Sequence, residues 1–131
     1  MRGGFAMITG IDTSLSKDYI SKFDDGEQKT IWKLGVLSAY AFAYVGSKIS
    51  DPAKSLDGMI EVVRFGLLGF DNFKDAKGNN VEFITQRKDV SSRTFTIVSE
   101  SIISIIPIDI IIELGGKILE MTKLSEQEIK N

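Results

Sequence analysis

The chain has no cysteine and no histidine. Without cysteine there is no disulfide framework, no thiolate nucleophile and no thiolate metal site. Without imidazole there is no Ser-His-Asp triad, no histidine-ligated zinc and no side chain whose unperturbed pKa lies near neutrality. Charge of one sign is also missing: 16 Lys and Arg stand against 18 Asp and Glu. A phosphate-tracking surface needs clustered positive charge. The nearest approach to one, Arg87, Lys88 and Arg93, reads as a solvated loop between two strands, so no nucleic-acid partner is expected. No apolar run approaches the roughly 18 to 20 residues needed to span a bilayer, so no membrane partner is expected either.

What is present is ordinary for a folded protein. At 131 residues with 43% hydrophobic and 26% charged side chains, the chain is long enough for one core and too apolar for disorder. We divide it into an N-terminal arm over 1–29, a globular domain over 30–124 and a C-terminal tail over 125–131. The N-terminus, Met1 to Ile8, is too short in its apolar part for a signal peptide, and Met7 offers a second start, so a cytoplasmic protein is expected.

Turn and periodicity signals predict an α+β fold, mostly helical, with a small antiparallel sheet or hairpin. The arm is polar, ends in the turn signal Asp24-Asp25-Gly26, and is polar enough to order only on a partner. Thr30 to Leu34 alternates as a strand closed by Gly35. Ser38 caps an aromatic helix running to about Ile49. Asp51-Pro52 offers an N-cap and a first-turn proline for a helix whose stripe is Leu56, Met59, Ile60, Val63 and Leu67, ending near Gly69. After a turn over Lys74 to Asn80, Val81 to Ile84 and Thr94 to Val98 read as strands flanking the polar stretch Gln86 to Arg93. Ser99 caps a short helix to Ile106, Pro107 starts another to Met121, and Ser125 with Glu128 has capping-box spacing for a last stub of helix.

Chemistry-bearing patterns fail on spacing. Aligning Gly78 with the invariant glycine of an EF-hand puts Phe73 and Lys77 where oxygen ligands belong. The Gly66–Gly69 and Gly115-Gly116 groupings lack the lysine and serine of a phosphate loop and the GxGxxG spacing. Glu61, Glu113 and Glu120 read as solvated helix faces. We therefore assign no catalytic residue, no cofactor and no metal site.

The unusual feature is Ile102 to Ile112, with eight isoleucines in eleven residues. Isoleucine is a middling helix former, and such a run must be covered by core or by another chain. We take Ile105, Ile108, Ile111 and Ile112 as candidate interface residues, with Trp32 and Phe70 as aromatic anchors.

The segment Arg64-Phe65-Gly66-Leu67-Leu68-Gly69-Phe70-Asp71-Asn72-Phe73-Lys74-Asp75, followed by Gly78-Asn79-Asn80-Val81-Glu82-Phe83, resembles small proteins of tailed-bacteriophage morphogenesis modules. Val98-Ser99-Glu100, Ile106-Pro107 and Ile112-Glu113-Leu114 through Leu124-Ser125-Glu126 are similar to the way such proteins continue. The likeness is one of turns and apolar positions over about two thirds of the chain, and the isoleucine-dense final helix departs from it. It implies a non-enzymatic assembly protein in the host cytoplasm, tail assembly chaperone-like, with phage structural proteins or further copies of itself as partners. A structural subunit of the head-tail junction or tail and a host-directed binding module are the alternatives.

Overall fold

A computed structural model describes the backbone of residues 10–130 and the side chains of residues 10–123. The start-site reading at Met7 and the side chains of the expected Ser125–Glu128 capping box lie outside the described residues. The order of elements is β1 (Lys17–Tyr19), β2 (Ile31–Leu34), α1 (Ala39–Ile49), α2 (Ser55–Gly66), β3 (Leu67–Asp71), β4 (Thr85–Val90), β5 (Arg93–Val98), α3 (Glu100–Ile103) and α4 (Ile108–Lys130). Two antiparallel sheets, β1-β2-β3 and the β4-β5 hairpin, accompany the helices, and the α+β class is as expected.

Helix α2 is the hub, packing on α1, α4 and β5. Its Val62 and Val63 are fully buried beside Leu34 of β2, Val45 of α1, Val98 of β5, and Leu114 and Ile118 of α4. Glycine permits the closest approaches: a Cβ at Gly58 would lie 2.9 Å from the backbone nitrogen of Ile49, and one at Gly66 would lie 2.6 Å from a methyl of Ile118. Trp32, Phe70 and Phe73 form an aromatic corner with centroids 5.0 to 5.8 Å apart, while Phe65 bridges Tyr44 and Phe95 on the opposite flank.

Several local expectations are displaced by tertiary pairing. The apolar stripe of α2 continues to Leu67, yet the helix stops at Gly66, because Gly35 donates its N–H to the Gly66 carbonyl at 2.8 Å and Leu67–Asp71 pairs with β2. Asp51-Pro52 opens a turn instead of a helix. Asp51 accepts from the Ala53 and Lys54 N–H groups, and α2 begins at Ser55. The strand expected at Val81–Ile84 lies later, at Thr85–Val90, in the stretch read as a loop. Five of its six residues carry polar or charged side chains and four are exposed, so β4 shows no apolar alternation to find. Its turn, Ser91-Ser92, has φ of 49° and 66°, a left-handed pair normally signalled by Asn-Gly. Helix α4 runs on through Ser125 to Lys130 where a break was expected after Met121.

Ser38 caps α1 as expected, accepting from the Ala41 N–H at 3.2 Å. Ser99 occupies the cap position of α3, but its hydroxyl faces that of Ser101. The Lys74–Asn80 turn is closed by Asp75, whose carboxylate accepts from the Lys77 and Asn79 N–H groups, with Gly78 at φ 85°. Among the described residues no helix is long and apolar enough to cross a membrane.

Candidate contact surface

The isoleucine run is divided by helical geometry. Ile111, Leu114, Ile118 and Thr122 recur at three- and four-residue intervals and are all buried, so they face α2. Ile108, Ile112 and Gly116 fall on a stripe that flanks this core face, where Ile108 is 47% and Ile112 46% exposed, and Ile105, just before Pro107, is 45% exposed. Ile111 is therefore corrected from interface to core. Trp32 is corrected likewise from anchor to core: at 3% exposure it packs against Phe70 and Phe73 and reaches the surface only as the floor of a cleft. Phe70 is half-buried, its ring edge-on to Trp32 and Phe83. The structure thus brings Ile108 and Ile112 together on one face with Ile105 just upstream, and sends Ile111, Trp32 and Phe70 inward.

A residue that sequence reasoning passed over completes the surface. Phe23 is 54% exposed and shares a depression of about 330 Å³ with Lys22, Asp109, Ile112, Glu113 and Gly116. The same ring walls a second cleft of about 360 Å³ whose other side is made by Trp32, Phe73, Pro107 and Ile110. An exposed aromatic between two clefts on an apolar helix face supplies area at little entropic cost, which is what interface anchors do.

Phe23 is placed there by a latch. Glu113, read from sequence as a solvated carboxylate, accepts from the Tyr19 hydroxyl at 2.7 Å, from the Lys22 N–H at 2.9 Å and from the Ser21 hydroxyl. Burial opposes ionisation of Glu113, but these donors outweigh it and hold the carboxyl below the usual carboxylate range. The same bond, reinforced by burial, pushes the Tyr19 phenol up to about 12. With Tyr19 and Asp18 also paired to Trp32 and Lys33, this part of the arm is anchored on the domain itself and needs no partner to order it. Asp24 then turns the chain back by accepting from the Gly26 and Thr30 N–H groups. The sequence signal for this was slight, two aromatics, Tyr19 and Phe23, close together just before the Asp24-Asp25-Gly26 turn.

On the far side of α2, Glu61 is likewise buried, contrary to its reading as a solvated face. Its Oε1 lies 3.9 Å from Lys48, 3.9 Å from Arg64 and 3.5 Å from Lys88, and the Arg64 Nε donates to the Val98 carbonyl at 3.2 Å. Glu61 Oε2 and Arg64 Nη2 have no hydrogen-bond partner. The spacings are those of a charge cluster tying α1, α2 and β4 together. Glu120 is paired with Lys117 at 3.7 Å on the surface. Arg87, Lys88 and Arg93, expected in a loop, lie on the two strands of the hairpin, and their charges diverge toward Asp89, Glu61 and the Tyr40 ring.

Among the described residues no group of three or more acidic side chains is arranged to hold a metal ion. No family model, no curated protein and no solved structure matches the chain.

Proposed function

We propose that this protein acts by contact alone, gripping an apolar segment of another protein on the surface formed by Phe23, Ile105, Ile108 and Ile112, in the manner of a tail assembly chaperone of a tailed bacteriophage. The observation that carries the reading is the division of the isoleucine run, which leaves three isoleucines in water although the core beside them is complete. Together with Phe23, which shares a depression with Ile112, these residues leave roughly 400 Å² of surface exposed in sum, and exposed apolar area of this order often marks an interaction site.

The phage setting rests on the resemblance of Arg64–Asp75 and Gly78–Phe83 to morphogenesis proteins, and places the activity in the host cytoplasm during assembly.

The test is complementation. In a tailed phage whose own copy of the gene is deleted, plasmid-borne wild type should restore tails, and Ile108→Asp with Ile112→Asp should not. Purified particles should contain none of the protein. Full rescue by the double variant would discard the surface, and stoichiometric recovery in particles would replace the chaperone reading with that of a structural subunit.

A further inference from the structure

We propose that the cleft between α1 and the β4-β5 turn is a binding site for an anionic group, a carboxylate or a phosphate, carried on a flat apolar stem. The cleft holds about 330 Å³ and is lined by Tyr40, Tyr44, Ser47, Ser91, Arg93 and Phe95. It lies apart from the Phe23 surface, shares no residue with it, and does not depend on the function proposed above.

Arg93 is the reason for the assignment. Its guanidinium carbon stands 3.5 Å from the centroid of the Tyr40 ring, and Tyr40 is itself 58% exposed. Neighbouring cations are engaged by carboxylates: Arg87 by Asp89, and Lys48 and Lys88 by Glu61. Among the described residues the Arg93 guanidinium takes part in no ion pair or hydrogen bond, so stacking alone holds it. A guanidinium laid flat on a ring keeps its planar edge of N–H donors directed outward, preorganised for the two oxygens of a carboxylate or phosphate.

The surroundings fit the rest of such a ligand. Tyr44 and Phe95 provide flat apolar walls, each packed on Phe65 at centroid distances of 5.6 and 5.1 Å. Lys48 and Lys88 lie 5.0 and 5.7 Å from the Tyr44 centroid and add positive potential. Asp89, the nearest carboxylate on the hairpin, is occupied by Arg87 and the Thr94 hydroxyl. The Ser91 hydroxyl has no partner among the described residues and is held at the cleft by the left-handed turn, a strained conformation that a structural hairpin would give to Asn-Gly.

The experiment is a titration of isotope-labelled protein with benzoate, phenyl phosphate, benzyl alcohol and inorganic phosphate, following the Ser47 and Ser91 amides and the Arg93 Nε–H. At least one aromatic anion should saturate with a dissociation constant on the order of 1 mM, while the neutral alcohol and inorganic phosphate bind at least about tenfold more weakly. Arg93→Ala should weaken the aromatic anion about 10- to 100-fold and Arg93→Lys less, since the lysine keeps charge but loses the two-point contact. If Arg93→Ala alters the amide spectrum away from the cleft, Tyr40→Leu replaces it and should also weaken binding. A blocked aspartyl-phenylalanine dipeptide that binds at least as well as benzoate assigns the chemistry to a peptide, and a weaker one to a free aromatic acid. Absence of saturation by both aromatic anions, equal binding of benzyl alcohol, or unchanged affinity in a folded Arg93→Ala protein would overturn the proposal.

Discussion

Ile111 and Ile112 are chain neighbours of identical chemistry, and alanine at each should give very different results. Ile111 is 2% exposed in a core formed with Val62, Val63, Leu114 and Ile118. Truncating it removes the transfer energy of the lost methyls and leaves a cavity that a packed helix pair cannot close, at a cost of about 2–5 kcal/mol. Ile112 is 46% exposed, so alanine there forfeits only the buried half of the side chain, and the gain in helix propensity offsets part of that, leaving about 0.5 kcal/mol or less. For a chain of this length the unfolding entropy is about 0.28 kcal/mol/K, so a loss of 3 kcal/mol lowers Tm by about 11 °C while the Ile112 change moves it by about 2 °C. The assay is urea unfolding followed by the fluorescence of Trp32, the single tryptophan and a core residue, whose signal reports the global transition. The midpoint should fall for Ile111→Ala at unchanged m-value and barely move for Ile112→Ala. Comparable losses at the two positions would refute the division of α4 into a core face and an exposed face.

The Glu113 latch makes stability depend on pH at both ends. The lowered Glu113 pKa contributes stability above the usual carboxylate range, lost as pH falls through the folded value; the raised Tyr19 pKa contributes stability in full below 10 and loses it as pH rises through about 12. Glu113→Gln should therefore cost about 1 kcal/mol at neutral pH in urea unfolding, with the difference from wild type vanishing in acid. Glycine contacts divide as sharply as the isoleucines. Gly58→Ala should destabilise by about 1–3 kcal/mol despite better helix propensity, because its Cβ meets the Ile49 backbone, whereas Gly116→Ala, with nothing within 4 Å, should stabilise by up to about 1 kcal/mol; calorimetry decides both. Replacing Ser91-Ser92 with Asn-Gly should relieve the left-handed turn and raise stability by about 1 kcal/mol, and, if the turn presents Ser91 to a ligand, reduce aromatic-anion binding in the same variant.

What the sequence determined by itself was set by residue type and local pattern. The lack of cysteine and histidine removed whole classes of chemistry, Ser38 capped its helix, Pro107 separated α3 from α4, and Thr94 to Val98 declared β5 by its own alternation. The density of isoleucine announced that some would meet a partner or the core. Which ones did was decided by the angle at which α4 lies on α2, a tertiary quantity that placed Ile111 inward and Ile112 outward. The end of α2 was likewise taken from local periodicity by β2 and by the Gly35 N–H. Strand β4 was illegible because four of its residues are exposed and alternation exists only where one side of a strand is buried. Phe23 and Glu113 are ninety positions apart in the chain, and only long-range folding, acting through Tyr19, Ser21 and Lys22, brings them to one surface.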